Sequence, residues 1–223
     1  MKLSELLFNC IKETKQLPDL NFTYEAFIGG DFDNDVDYVN SINNAFNPLN
    51  RAIHRLSDRG KLPFKTNLIN YPHYSNVIDI QSASANPLRI KSITNVVYFC
   101  PNGKYVNIHF RDLGDHKIAL LDYVSPDTPL LIEYIEDVPN FKRTDFDYSD
   151  KDETKHYDVD LMQYGINETM CSYIEEYVKG FLFEIIDPQI ANLHRVYAEQ
   201  CFDDLEEHGT AFYQSVVKPI YRV

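Results

Sequence analysis

Apolar positions change their spacing twice along the chain. From Lys2 to Thr14, Leu3, Leu6, Leu7, Cys10 and Ile11 recur every three or four residues, which predicts a short amphipathic helix ended by Leu17-Pro18. Val36, Val39, Ile42, Phe46, Leu49, Ile53 and Leu56 keep the same interval and form the clearest helical stripe in the sequence. Asp35 or Asp37 suits its start, because a carboxylate there meets free N–H groups and the positive end of the helix dipole. Gly60 closes it. Pro48 lies inside the stripe, so a kink is expected, or two helices joined at Asn47.

From Leu62 the texture is that of strands. Leu68-Ile69, Val77 to Ile80, Leu88 to Cys100, Lys104 to Phe110, Lys117 to Leu121 and Pro129 to Ile135 are short β-branched or aromatic runs. Pro72, Asn86-Pro87, Pro101-Asn102-Gly103, Gly114-Asp115 and Ser125-Pro126 separate them, which predicts a compact antiparallel sheet or sandwich. Its clearest hairpin runs from Ile93 to Phe99, turns at Asn102-Gly103 and returns from Tyr105 to Phe110. Thr144 to Asp160 then carries seven carboxylates against two Lys and little aliphatic material, the composition of a surface excursion.

Helical spacing returns at Asn167, a suitable cap for apolar positions Met170, Tyr173, Ile174, Tyr177, Val178, Phe181, Leu182 and Ile185. Asp187-Pro188 interrupts the run, and a second helix carries Leu193, Val196, Tyr197, Cys201 and Leu205 to His208-Gly209. So short a joint predicts an antiparallel αα-hairpin. Phe212 to Val223 lacks helical periodicity and reads as an extended arm laid on a neighbour. The expected class is α+β. Its segments are residues 1–61 (helical), 62–143 (antiparallel β unit), 144–166 (acidic surface loop), 167–211 (αα-hairpin packing with the N-terminal helices) and 212–223 (arm).

Composition narrows the function. With 223 residues, 44% of them hydrophobic, the chain has ample core material and is not a disordered tail. No run approaches the roughly 18 consecutive apolar residues of a membrane span. Glu5 and Asn9 interrupt the N-terminal apolar positions, unlike a secretory signal, so a cytosolic origin is expected. Lys and Arg number 21 against 34 Asp and Glu, a net charge of −13, which opposes non-specific binding to a phosphate backbone. Cys10, Cys100, Cys171 and Cys201 stand apart, without a zinc or redox spacing, and read as small buried hydrophobes.

Candidate chemistry is sparse. Asp31, Asp33, Asp35 and Asp37 alternate as calcium ligands do, but a loop starting at Asp31 has Val36 where Gly is required and Ile42 where Glu is required. Helix capping and a solvated turn explain these carboxylates. His109 and His116 flank Asp112 and Asp115 near a turn, where polar residues commonly just face solvent. His194 reads as an interface or satisfied core residue, and Cys171 sits among Glu168, Glu175 and Glu176, the wrong field for a thiolate. No nucleophile elbow, Walker loop or dinucleotide fingerprint occurs. No catalytic residue, cofactor or metal is therefore expected. Arg51, Arg55 and Arg59, four residues apart, form a basic ridge on an acidic protein, either an interface or a solvated helix face. With Val216, Val217, Ile220 and Tyr221 of the arm they are the expected interface residues.

This order of elements resembles the head-to-tail adaptor (connector, or ring) proteins of tailed bacteriophages, of the short-tailed or crAss-like type. Three parts carry the resemblance: the Val36 to Leu56 stripe ending at Asp58-Arg59-Gly60, the β unit from Leu62 to Ile135, and the closing hairpin with its Asp187-Pro188 junction. It implies a non-enzymatic virion protein of the neck, assembled in the host cytoplasm. It also implies a ring, usually of twelve copies, between the portal protein and an adjacent tail or neck protein, with DNA passing through the channel without specific binding and no membrane partner. An acidic wall suits such a channel, since it offers phosphates little to hold. Each copy brings −13, so net charge opposes ring closure, and apolar contacts, the arginine ridge and exchanged termini are left to hold the ring together. The competing readings are an acidic nucleic-acid mimic that inhibits a DNA-binding protein, and a metal-dependent hydrolase using Asp31, Asp33 and Asp35.

Overall fold

The computed structural model describes residues 1–14, 22–31, 36–71, 75–85, 87–99, 104–125, 128–150 and 152–213. In chain order the helices are α1 (Leu3–Thr14), α2 (Tyr24–Gly29), α3 (Val36–Asp58), α4 (Ile80–Ala83), α5 (Glu168–Leu182) and α6 (Pro188–Tyr213). The strands are β1 (Lys65–Asn70), β2 (Val77–Asp79), β3 (Ile90–Phe99), β4 (Tyr105–Asn107), β5 (Phe110–Gly114), β6 (Lys117–Leu120), β7 (Pro129–Glu136), β8 (Phe146–Asp147) and β9 (Tyr157–Asp158). The class is α+β. The chain divides into two compact units, Met1–Lys61 with Pro139–Val223, and Leu62–Val138.

The first unit is built on helices. Leu3, Leu6, Leu7, Cys10 and Ile11 of α1 are buried, as are Ile42, Phe46, Leu49, Ile53 and Leu56 of α3. These are the faces that the spacing marks out, and their removal from water is the main term stabilising the unit. α3 runs unbroken through Pro48, so two helices joined at Asn47 are not what forms. Proline removes one backbone donor, but Phe46, Leu49, Ala52 and Ile53 are buried on either side of it and hold the helix together.

The acidic segment is more than a loop. Asp147, Asp150, Asp152 and Glu153 are exposed, yet Phe146, Val159 and Leu161 are buried, and β8 pairs with β9. Phe146 lies 5.5 Å from Phe27, ring on ring, and the Arg143 guanidinium lies 4.4 Å from the Phe146 ring centre. The Leu3 amide donates to the Val159 carbonyl at 2.9 Å, and Ser4 Oγ donates to Asp158 Oδ2 at 2.6 Å. A carboxylate from 154 residues away thus serves the first turn of α1, where the helix leaves amides unpaired.

The second unit is β. Its strands form a four-stranded antiparallel sheet, β1-β7-β3-β4, and a three-stranded one, β2-β6-β5. One apolar cluster, including Ile69, Ile78, Val96, Ile118 and Ile132, fills it. β3 pairs with β4 as the hairpin reading requires, and the turn at Asn102-Gly103 lies outside the described residues. The return strand is shorter than Tyr105 to Phe110. It stops at Asn107, and Phe110 opens β5 in the other sheet. Ile108 is buried, its amide donates to the Val96 carbonyl, and the His109 carbonyl accepts from Leu121, so the chain changes sheets there to bury Ile108 and stay hydrogen-bonded. The β5–β6 turn places Asp115 and His116 at φ of 48° and 59°, the left-handed pair of a tight hairpin.

Candidate interaction surface

α5 and α6 pack as an antiparallel hairpin. Tyr173, early in α5, meets Phe202, late in α6, at 5.2 Å, and Glu184 just beyond α5 binds Arg195, early in α6, at 2.8 Å. Asn167 caps α5 by accepting from the Met170 amide at 3.0 Å. Asp187 does the same for α6, accepting from Gln189 and Ile190 at 3.0 and 3.2 Å. At the crossing Gly180 removes a side chain: a Cβ there would lie 2.9 Å from Arg195 Cγ and 3.4 Å from the Ala191 carbonyl oxygen.

The inner face of α6 is Ala191, Ala198, Phe202 and Leu205, all buried. Its outer face is also apolar. Ile190, Leu193, Val196 and Tyr197 are 39 to 48% exposed, and Ile185 and Ile186 in the preceding turn are 95% and 53% exposed. Ile190, Leu193 and Tyr197 follow one another by three and four residues, so they line a single side of the helix, with Ile186 in the turn before it. Ile185, expected on the buried face of α5, is exposed because α5 ends at Leu182, where the Phe183 amide bonds back to Lys179. An outward apolar stripe of this kind is the composition of a contact surface.

The arginine ridge divides in the structure. Arg55 donates to both carboxylate oxygens of Glu199, at 2.5 and 2.6 Å, and its guanidinium lies 4.4 Å from the Phe202 ring centre, so it braces α3 against α6 within the subunit. Arg51 is exposed and lies 5.9 Å from the Phe181 ring centre, and Arg59 is exposed at the helix end. Val216, Val217, Ile220 and Tyr221 lie outside the described residues.

A buried ion cluster backs the hairpin. Lys179 is 4% exposed and reaches Glu13 at 2.6 Å, Glu175 at 2.7 Å and Glu176 at 3.7 Å. Burial disfavours its ammonium, but hydrogen bonds to Glu13 and Glu175 outweigh that and raise its pKa. His194 joins the same cluster through Glu176 at 2.7 Å and stacks on Phe183, which makes it a satisfied interior histidine.

The other candidates come together only in part. Asp31 is exposed, Asp33 and Asp35 lie outside the described residues, and of Asp37 only the backbone, in the first turn of α3, is described. Among the described residues no three His, Cys, Asp or Glu side chains are placed to hold a metal ion. His109 bonds Asp122, through its amide at 2.7 Å and its ring at 2.8 Å, and these contacts hold that carboxyl below its usual range. His116 instead lines a shallow recess of about 190 Å³ with Lys91, Asp112 and Asp115. Burial pushes the Cys171 thiol up to about 11, the opposite of nucleophile activation.

The outer stripe of α6 escapes a reading that credits one apolar face per helix. Its signal is in the sequence nonetheless: Ile190, Leu193 and Tyr197 are out of phase with Ala191, Ala198, Phe202 and Leu205, and alanine is easily overlooked as a core residue. No helix among the described residues is long and apolar enough to cross a membrane. A scan against protein-family models gives no match, and a search of curated proteins gives none.

Proposed function

We propose that this chain is a structural subunit that assembles with copies of itself into a ring of the head-to-tail adaptor type, seated between a portal and a tail or neck protein and lining a DNA channel. The observation that carries this reading is the outer apolar stripe of α6. A helix with one buried apolar face needs no second one, and leaving Leu193 and Tyr197 half in water is unfavourable unless another protein surface covers them. The net charge of −13 supports the channel role, because a wall rich in carboxylates gives passing phosphates nothing to grip.

Mass measurement of the purified chain, followed by electron microscopy of the same sample, tests it. The expected result is a closed multimer with a central opening. A mass of one chain or two at every concentration would remove the ring reading. If that small species also bound a DNA-binding protein in competition with DNA, it would establish the nucleic-acid mimic instead.

A further inference from the structure

We infer that the outer stripe of α6 is the seat of the segment 216–221 of a neighbouring copy. This rests on the proposed self-assembly and names its contact. The segment Gln214 to Val223 contains Val216, Val217, Ile220 and Tyr221, two cations at Lys218 and Arg222, and no acidic side chain. It is therefore an apolar, basic stretch in an acidic protein. The stripe offers the complement: Ile190, Leu193 and Tyr197 in line, then Asp204 on the same side two turns later, with exposed Asp203 beside it.

Geometry favours an intermolecular contact. α6 is described to Tyr213, and Val217, four residues on, reaches at most about 14 Å from there even when fully extended. Tyr197 lies sixteen residues back, about 24 Å along the helix, and Leu193 about 30 Å. Tyr221 at full stretch spans about 28 Å, so in its own chain it nears Leu193 only as a straight, doubled-back strand, and Ile190, about 35 Å back, stays beyond it. An arm from another copy has no such limit. Pairing stripe with stripe is less favourable, because it would join two acidic helices whose arginine, Arg195, is already bound to Glu184. The arm brings Lys218 and Arg222 to the acidic end and apolar side chains to the rest.

The test uses the full chain. Leu193 is replaced by the photoreactive p-benzoylphenylalanine in an unlabelled chain, which is mixed with ¹⁵N-labelled unsubstituted chain, irradiated, and digested for mass spectrometry. The expected product links light position 193 to heavy residues 214–223. Tyr197 is 45% exposed, so a Tyr197→Asp change in the photoreactive chain should leave its far-ultraviolet circular dichroism intact while cutting that product about tenfold. Heavy crosslinks to residues 186–197, crosslinks within light chains only, or a multimer that gives no product would each overturn the arm assignment and leave ring assembly standing. A single-chain mass without the product would remove both.

Discussion

The guanidinium of Arg55 faces the carboxylate of Glu199 with two hydrogen bonds, at 2.5 and 2.6 Å, across 144 residues of sequence. This pair fastens α3 to α6 and turns one member of an apparent surface ridge into an internal brace. Charge reversal at Arg51 and Arg55 together would be harmless to folding on a purely solvated ridge. With Arg55 engaged, Arg55→Met should lower unfolding free energy by about 1–2 kcal/mol, and a double-mutant cycle with Glu199→Gln should give a coupling of about 1 kcal/mol. Urea denaturation measures both, and a coupling near zero would mean the pair is only a surface contact.

The same pair sets a pH dependence. Hydrogen bonding from Arg55 holds the Glu199 carboxyl below its ordinary 4.5, with burial opposing. A depressed carboxyl pKa stabilises the fold above the unfolded value, and that contribution is lost as pH falls through the folded one. The coupling measured at neutral pH should therefore shrink as pH falls below 4.5 and through the folded value. A coupling that grew on acidification would contradict this sign.

Lys179→Met tests the ion cluster. The substitution keeps the length of the side chain but leaves Glu175 and Glu176, 19% and 22% exposed, without their cation. A loss of about 2 kcal/mol is expected in chemical denaturation. A gain in stability would show that desolvating Lys179 costs more than its three carboxylates return.

Gly180→Leu probes the helix crossing. A Cβ alone comes within 2.9 Å of Arg195, and a full leucine must push α5 from α6, for an expected loss of about 2–3 kcal/mol despite leucine's better helix propensity. Thermal unfolding reads the outcome. An unchanged midpoint would mean the hairpin separates freely.

Phe146→Ala asks whether the acidic segment belongs to the fold. Its ring is fully buried against Phe27, so removal should cost about 3–4 kcal/mol. A solvated loop would tolerate the change, and proteolysis between 147 and 157 would not accelerate.

Local pattern alone determined the helices from Leu3, Val36, Glu168 and Pro188, the change to strands after Leu62, and the cap at Asn167, because spacing and capping act between residues a few positions apart. The α+β class follows from their order. Tertiary structure decided the rest. It buried Phe146 under an acidic surface, sent Phe110 into a second sheet, gave Arg55 to Glu199, and turned Leu193 and Tyr197 outward while Ala191 and Ala198 faced in. Each of those outcomes depends on what arrives from far along the chain: a local pattern states that a face is apolar, and only packing settles which apolar face is covered.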